Sequence, residues 1–161
     1  MQGDAATGVV QIRQGLAVHQ DMGIKLGQPY SLALLAEAYG QTGQPEAGLQ
    51  VLAEALTLVE ATEERGWEAE LRRLKGALLL RLQNPNVSQA EACFQQALAV
   101  ARGQQARSLE LRAAMSLARL WQQQGKRAEA GELLAPIYGW FTEGFNAADL
   151  QRAKALLDEL T

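Results

Sequence analysis

Small residues return along this chain at a nearly fixed interval, and that interval limits what the chain can fold into. Gly8, Ile12, Gly15 and Leu16 set a spacing that comes back as Gly48, Leu52, Ala55 and Leu56. It returns as Ala90, Phe94, Ala97 and Leu98, and again as Ala130, Leu134, Ile137 and Tyr138. The steps between these copies are 40, 42 and 40 residues. A second series interleaves with the first: Leu35, Ala36, Tyr39 and Gly43, then Gly76 and Leu79, then Leu117, Ala118, Trp121 and Gly125. Intervals of three and four within each set place its members on one face of an α-helix. A fixed period in this range marks stacked repeats, where each unit buries its apolar face on its neighbours.

The series alternate as helix A, turn, helix B, turn, with a B helix opening the chain. The stretch Ser108 to Tyr138 shows one whole unit, two amphipathic helices joined at Gly125. Small residues stand where the helices of a pair must cross. Ala36 to Gly48 and Ala118 to Ala130 are both 12 residues, whereas Gly76 to Ala90 is 14. The two extra residues therefore fall within Gln83 to Ser88, where Asn84-Pro85-Asn86 signals a turn and Ser88 is the expected N-cap.

Composition settles the class. Ala, Leu, Gln, Glu and Arg dominate, Val and Ile are scarce, and only four prolines occur. These propensities favour helix throughout. The expected fold is all-α, a right-handed alpha-alpha superhelix of about eight helices in the order B-AB-AB-AB-A. A half repeat covers residues 4–26, full repeats cover 28–65, 66–103 and 106–142, and a capping helix covers 146–161. The cap presents Leu150, Ala153, Leu157 and Leu160 to the stack, with Asn146 as its N-cap and Phe145 as a hydrophobic staple. The opening helix, Asp4 to Met22, is a B element without an A partner, so the chain is expected to be cut from a longer array and to self-associate weakly through that end.

Leu117-Ala118, Trp121, Gly125, Ala130 and Leu134 resemble the tetratricopeptide pattern, as do Leu35-Ala36, Tyr39, Gly43, Gly48, Leu52 and Ala55. The second repeat departs from it at Lys75 and lacks the usual turn glycine. More narrowly, WEAELRRLKGALLLRL, EACFQQALAVAR, ELRAAMSLARLWQQQGKRAEA and YGWFTEGF are similar to one family. It is the carboxy-terminal tetratricopeptide-like repeat region of large bacterial signalling proteins that carry predicted ATPase modules, often behind a nucleotidyl-cyclase domain. The resemblance spans the chain from about Gly8 onward. It implies a non-catalytic protein-interaction or autoregulatory scaffold whose target is a protein or peptide, other domains of the same chain included.

Several other functions are disfavoured by the residues themselves. A net charge of −3 is wrong for a general nucleic-acid binder, which needs a basic excess. No apolar run reaches 18 residues, so no membrane span is expected. The lone Cys93 excludes an internal disulfide and fits a reducing, cytoplasmic setting; no signal peptide follows Met1. His19 is the single histidine and has no companions at metal-ligand spacing, and Cys93 has no neighbouring base. No phosphate-binding glycine loop is present. Neither enzyme, cofactor nor metal site is expected.

Two features remain. Trp140, Phe141 and Phe145 cluster in the last connector, either as a docking patch or, the favoured reading, as a plug sealing the cap helix. The arginines are distributed unevenly: Arg65 to Arg119 carries a net +5 and the remainder −8. In tetratricopeptide-like stacks the A helices line the concave face. The groove offsets then fall on Tyr30, Ala33, Glu37 and Gln41; on Glu70, Arg73, Ala77 and Arg81; and on Arg112, Met115, Arg119 and Gln123. The expectation is a partner-binding groove in which Arg73, Arg81, Arg112 and Arg119 converge, against the alternative of a solvated face with local pairs such as Glu68 with Arg72. Capture of those arginines by Glu70 and Glu110 would favour the alternative. The rival function is an effector-sensing domain that holds a small ligand in the same groove.

Overall fold

The computed structural model describes residues 2–25 and 27–161, the side chains of residues 2 and 3 apart. Residue 1 and residue 26, the expected end of the opening half repeat, lie outside that description. Among the described residues there are eight α-helices and no strand: α1 (Gln2–Asp21), α2 (Gln28–Gln41), α3 (Pro45–Thr62), α4 (Glu68–Leu80), α5 (Val87–Gly103), α6 (Arg107–Gln123), α7 (Arg127–Tyr138) and α8 (Ala148–Leu160). A single 3₁₀ turn, Arg65–Trp67, leads into α4. The all-α class follows from the sequence as expected.

Each helix packs on the next in sequence, and the A helices also touch in a row, α2 on α4, α4 on α6 and α6 on α8. The B helices α3, α5 and α7 each pack against the two A helices that flank them. The crossing positions explain how they come so close. Ala36, Ala90, Ala97, Ala118 and Ala130 are fully buried. A Cβ added to Gly76 would lie 2.6 Å from Phe94 Cε1 and 3.0 Å from the Ala90 carbonyl oxygen. One added to Gly48 would lie 2.7 Å from Leu78 and 3.1 Å from the Ala36 carbonyl. Glycine is required there because backbone occupies the space a side chain would fill.

The turns repeat one device. Gly43 and Gly125 take positive φ (75° and 80°), and the next amide reaches back to the last turn: Gln44 N to Tyr39 O at 2.8 Å, Lys126 N to Trp121 O at 2.8 Å. These are Schellman-type endings that satisfy the orphan carbonyls of α2 and α6. The same bond ends α5, from Ala106 N to Ala101 O at 2.9 Å, with Gln105 at φ 54° in place of glycine. The longer turn before α5 ends on Asn86, whose side chain accepts from Gln89 N at 3.1 Å and donates to Gln89 Oε1 at 3.1 Å. Asn86 is therefore the N-cap, and Ser88 lies one residue inside the helix. The reciprocal pair satisfies a backbone donor that a serine at 88 could not reach.

Three further expectations shift. α8 begins at Ala148 with Ala147 as its N-cap and no side-chain cap, so Asn146 does not start it. Its buried residues are Leu150, Ala153 and Leu156, with Leu157 and Leu160 only partly covered. In α1, Leu16 is buried and Ile12 half-buried, but Gly15 is exposed, and a Cβ added to it would meet open space. α1 packs on α2 through Leu16, Val9 and Ile12, while Val10, Val18 and, just past its end, Met22 stay more than half exposed.

Candidate functional site: the arginine-lined row of A helices

The row of A helices carries two adjoining clefts of ≈ 130 and ≈ 100 Å³ that share Glu37 and Arg73. The first is walled by Arg112 and Arg119 of α6 and by Asp149 and Arg152 of α8, with Met115 in its floor. The second lies between Gly40 and Gln41 of α2 and Ala77 and Leu78 of α4, with Arg81 just past the end of α4. Arg73, Arg81, Arg112 and Arg119 thus open onto two adjoining clefts of the row of A helices. The helical offsets account for this, because side chains three and four residues apart stand above one another on the same face.

Their electrostatic states differ. Glu70, only 4% exposed, accepts from Arg73 through both oxygens, at 2.9 Å from Nε and 2.7 Å from Nη2. It also lies 3.0 Å from Arg112 Nη1. Arg112 Nε is in turn 3.6 Å from Asp149, which lies 3.7 Å from Arg152. A chain of alternating charge thereby ties α4 to α6 and α6 to α8. Burial opposes the charge on Arg73, but the bonds to Glu70, helped by Glu37 and Asp149, outweigh it and hold its pKa above the ordinary value. A planar guanidinium suits this double grip on a carboxylate. Among the described residues, Arg81 and Arg119 have no ion-pair partner, and both are exposed.

Glu110 does not take a groove arginine; it is buried and pairs with Arg102 at 2.7 Å, away from the two clefts. Local capture of the groove arginines therefore reaches Arg73 and Arg112 and stops there. The outward pair Glu68–Arg72 forms as expected, at 2.7 Å. Burial pushes the Glu68 carboxyl up, yet the hydrogen bonds and charges of Arg72 and Arg65 prevail and hold its pKa below the ordinary value.

Of the residues assigned to the groove from sequence, Glu37, Gln41, Arg73, Ala77, Arg81, Arg112, Met115 and Arg119 line the two clefts. Tyr30 does not; it stacks on Trp67 with ring centroids 4.7 Å apart, at the start of α2 and α4. Gln123 lines neither cleft and is exposed at the end of α6, one turn beyond Arg119. Asp149 and Arg152 line the first cleft without having been assigned to it. A signal for Arg152 existed: the 40-residue step from Arg112 lands on it.

The connector aromatics divide. Phe141 is half-buried and packs on the core, as a plug does. Trp140 is 46% exposed beneath the Arg107 guanidinium, 4.3 Å from its ring centre, and Phe145 stays outside against Tyr138. Cys93 is buried, which pushes its thiol pKa up despite Lys75 and Arg72. A thiol in that state is a small core hydrophobe. Among the described residues no group of three or more His, Cys, Asp or Glu side chains is placed to hold a metal ion. No described helix is long and apolar enough to cross a membrane.

No family model matches this chain, and no curated protein sequence matches it.

Proposed function

We propose that this chain is a non-catalytic interaction scaffold that holds a protein or peptide segment along the inner row of α2, α4, α6 and α8. One observation carries the reading. Five arginines open onto the two clefts against Glu37 and Asp149, and with Glu70 beneath them two positive charges stay uncompensated on a chain whose net charge is −3. Such a patch attracts acidic partners and orients them.

The resemblance to repeat regions of bacterial signalling proteins supports a cytoplasmic module whose target is a neighbouring domain of the same chain or a separate protein. The rival, a small effector bound in the groove, is less well supported. Clefts of ≈ 130 and ≈ 100 Å³ fall below the roughly 300–1,000 Å³ of ordinary small-ligand pockets. A shallow run of adjoining clefts suits an extended segment instead. The uncovered face of α1 is a second, weaker contact surface in this reading, available for self-association.

The test is capture of binding proteins by the domain and by its Arg81→Glu/Arg119→Glu variant. Both residues are exposed and unpaired, so the reversal is expected to leave helix content and melting temperature nearly unchanged. It is expected to release the retained partner. Equal retention by the two proteins would show that the inner row is not the binding surface.

A further inference from the structure

The four arginines that share the inner row divide into two kinds, and the division specifies the occupant. Arg73 and Arg112 are already spent on one buried carboxylate, that of Glu70. Ser116 adds a further, long contact to Arg73 at 3.4 Å. Arg152 has Asp149 beside it. Arg81 and Arg119 match the two uncompensated charges of the clefts in number; Arg81 caps the end of α4 and Arg119 lies in α6, and those two helices touch.

Their separation follows from the repeat. Arg119 is the counterpart of Ala77 across the 42-residue step, one helical turn before Arg81. One turn along the axis is about 6 Å, and one step between packed helices about 8–10 Å. The two grips therefore stand about 10 Å apart at the backbone. Between them lie Glu37 and the Glu70-bound Arg73, shared by both clefts, with Gly40, Ala77 and Leu78 on one side and Met115 on the other.

We propose that the occupant of this groove is a doubly acidic peptide segment, one carboxylate gripped by Arg81 and the other by Arg119, while Glu70 withholds Arg73 and Arg112 from binding. The inference rests on the interaction-scaffold reading and narrows it to a ligand chemistry. An extended chain rises about 3.3 Å per residue, so carboxylates two to four residues apart span the grips once both side chains lean. Arginine at each end makes a planar, two-bond contact with its carboxylate that lysine would not reproduce. Glu70 acts as a positioning residue: it occupies the inner pair as a built-in carboxylate and leaves only the outer pair open. A ligand with one acid has one grip, and a ligand with many gains nothing beyond two.

The experiment titrates the domain with blocked, fluorescein-labelled ten-residue peptides of alanine, glycine and serine that carry no glutamate, one glutamate, or two glutamates separated by one to six residues. Anisotropy is read at 50 and 150 mM salt. A diacid whose glutamates are two to four residues apart is expected to bind at least tenfold tighter than the monoacid, since charged hydrogen bonds are the stronger class. Arg81→Gln and Arg119→Gln are each expected to reduce the diacid to monoacid affinity and to flatten its salt dependence. Glu70→Gln frees Arg73 and Arg112 and is expected to tighten binding of a four-glutamate peptide over the diacid, a preference the parent lacks. If Glu70→Gln does not fold, the two arginine variants decide alone. Equal affinity for mono- and diacid, insensitivity to either arginine change, or no binding of any probe up to millimolar concentration overturns the proposal. The parent reading is judged separately, with Gln41→Trp, which fills the cleft without changing charge. A captured partner lost on Gln41→Trp but kept on Arg81→Gln/Arg119→Gln sinks the diacid inference and leaves the scaffold; a partner kept by both variants sinks both.

Discussion

Replacing Gly76 by alanine sets two effects against each other whose sizes are known. In an exposed helix interior the change stabilises by about 0.8–1 kcal/mol, because glycine carries excess backbone freedom. At Gly76 the new methyl would sit 2.6 Å from Phe94 Cε1, 2.9 Å from Cδ1 and 3.0 Å from the Ala90 carbonyl oxygen. The phenyl ring is 2% exposed, and the carbonyl belongs to the backbone of α5, so neither yields without moving a helix. Overpacking of this kind costs about 1–3 kcal/mol, and two immovable neighbours place the site at the upper end. The net expectation is destabilisation by about 2 kcal/mol, a fall in melting temperature of roughly 4–8 °C for a chain of this size. Gly131 supplies the control. It lies inside α7 with nothing within 4 Å of its Cβ position, so Gly131→Ala keeps only the helix-propensity gain and raises the melting temperature by a few degrees. Thermal and urea unfolding of both variants beside the parent read the pair. If Gly76→Ala matches the parent or exceeds it, α4 and α5 do not cross there and the repeat register is wrong.

Two further outcomes follow. Because the Glu68 carboxyl is held below its ordinary value near 4.5 when folded, its stabilisation is present above that pH and is lost as pH falls through the folded value; Glu68→Gln is therefore expected to be less stable than the parent at pH 7 and indistinguishable from it at pH 2, and a constant deficit across that range would refute the cause. Amide exchange in α1 is expected to be faster than in α6 for a dilute monomer, since α1 buries little beyond Leu16, and to slow with protein concentration if its bare face self-associates; equal protection in α1 and α6 at low concentration would count against both.

The architecture was legible because close helix crossings leave a mark in side-chain size. Ala36, Gly48, Gly76, Ala90, Ala118 and Ala130 can be read from the period alone, and all six fall where helices meet. Gly43 and Gly125 were legible as turns because a left-handed residue at a helix end favours glycine. The start of α5 was less so: Asn86 and Ser88 are both good caps, and the choice depends on whether Gln89 can answer the cap, which it does for Asn86. Gly15 fitted the repeat spacing yet faces solvent, since among the described residues nothing packs on that side of α1.

The groove was legible in outline only. Helical offsets placed eight of its residues, but offsets stop working where an element ends: Tyr30 leaves the row to stack on Trp67, and Gln123 lies past the clefts. The pairing of Glu70 with two arginines was also beyond the sequence. Arg73 is its neighbour three residues on, but Arg112 comes from another helix, and only the packing of α4 on α6 joins them. That pairing changes which residues can be used as probes. Arg73 reversal would leave Glu70 with Arg112 alone and set a second carboxylate beside it, and breaking a buried pair costs about 3–5 kcal/mol. Arg81 and Arg119 are free of that complication.

The central claim is that the inner row, through Arg81 and Arg119, is the surface that takes up an acidic segment. Two-dimensional NMR of the arginine Nε–Hε groups, recorded while the labelled domain is titrated with a peptide bearing two glutamates three residues apart, tests it most directly. The account predicts saturable shifts at Arg81 and Arg119, small ones at Arg73 and Arg112 behind Glu70, and none at Arg65 or Arg102 on the outer faces. Shifts spread evenly over all arginines, or confined to the outer faces, would contradict it.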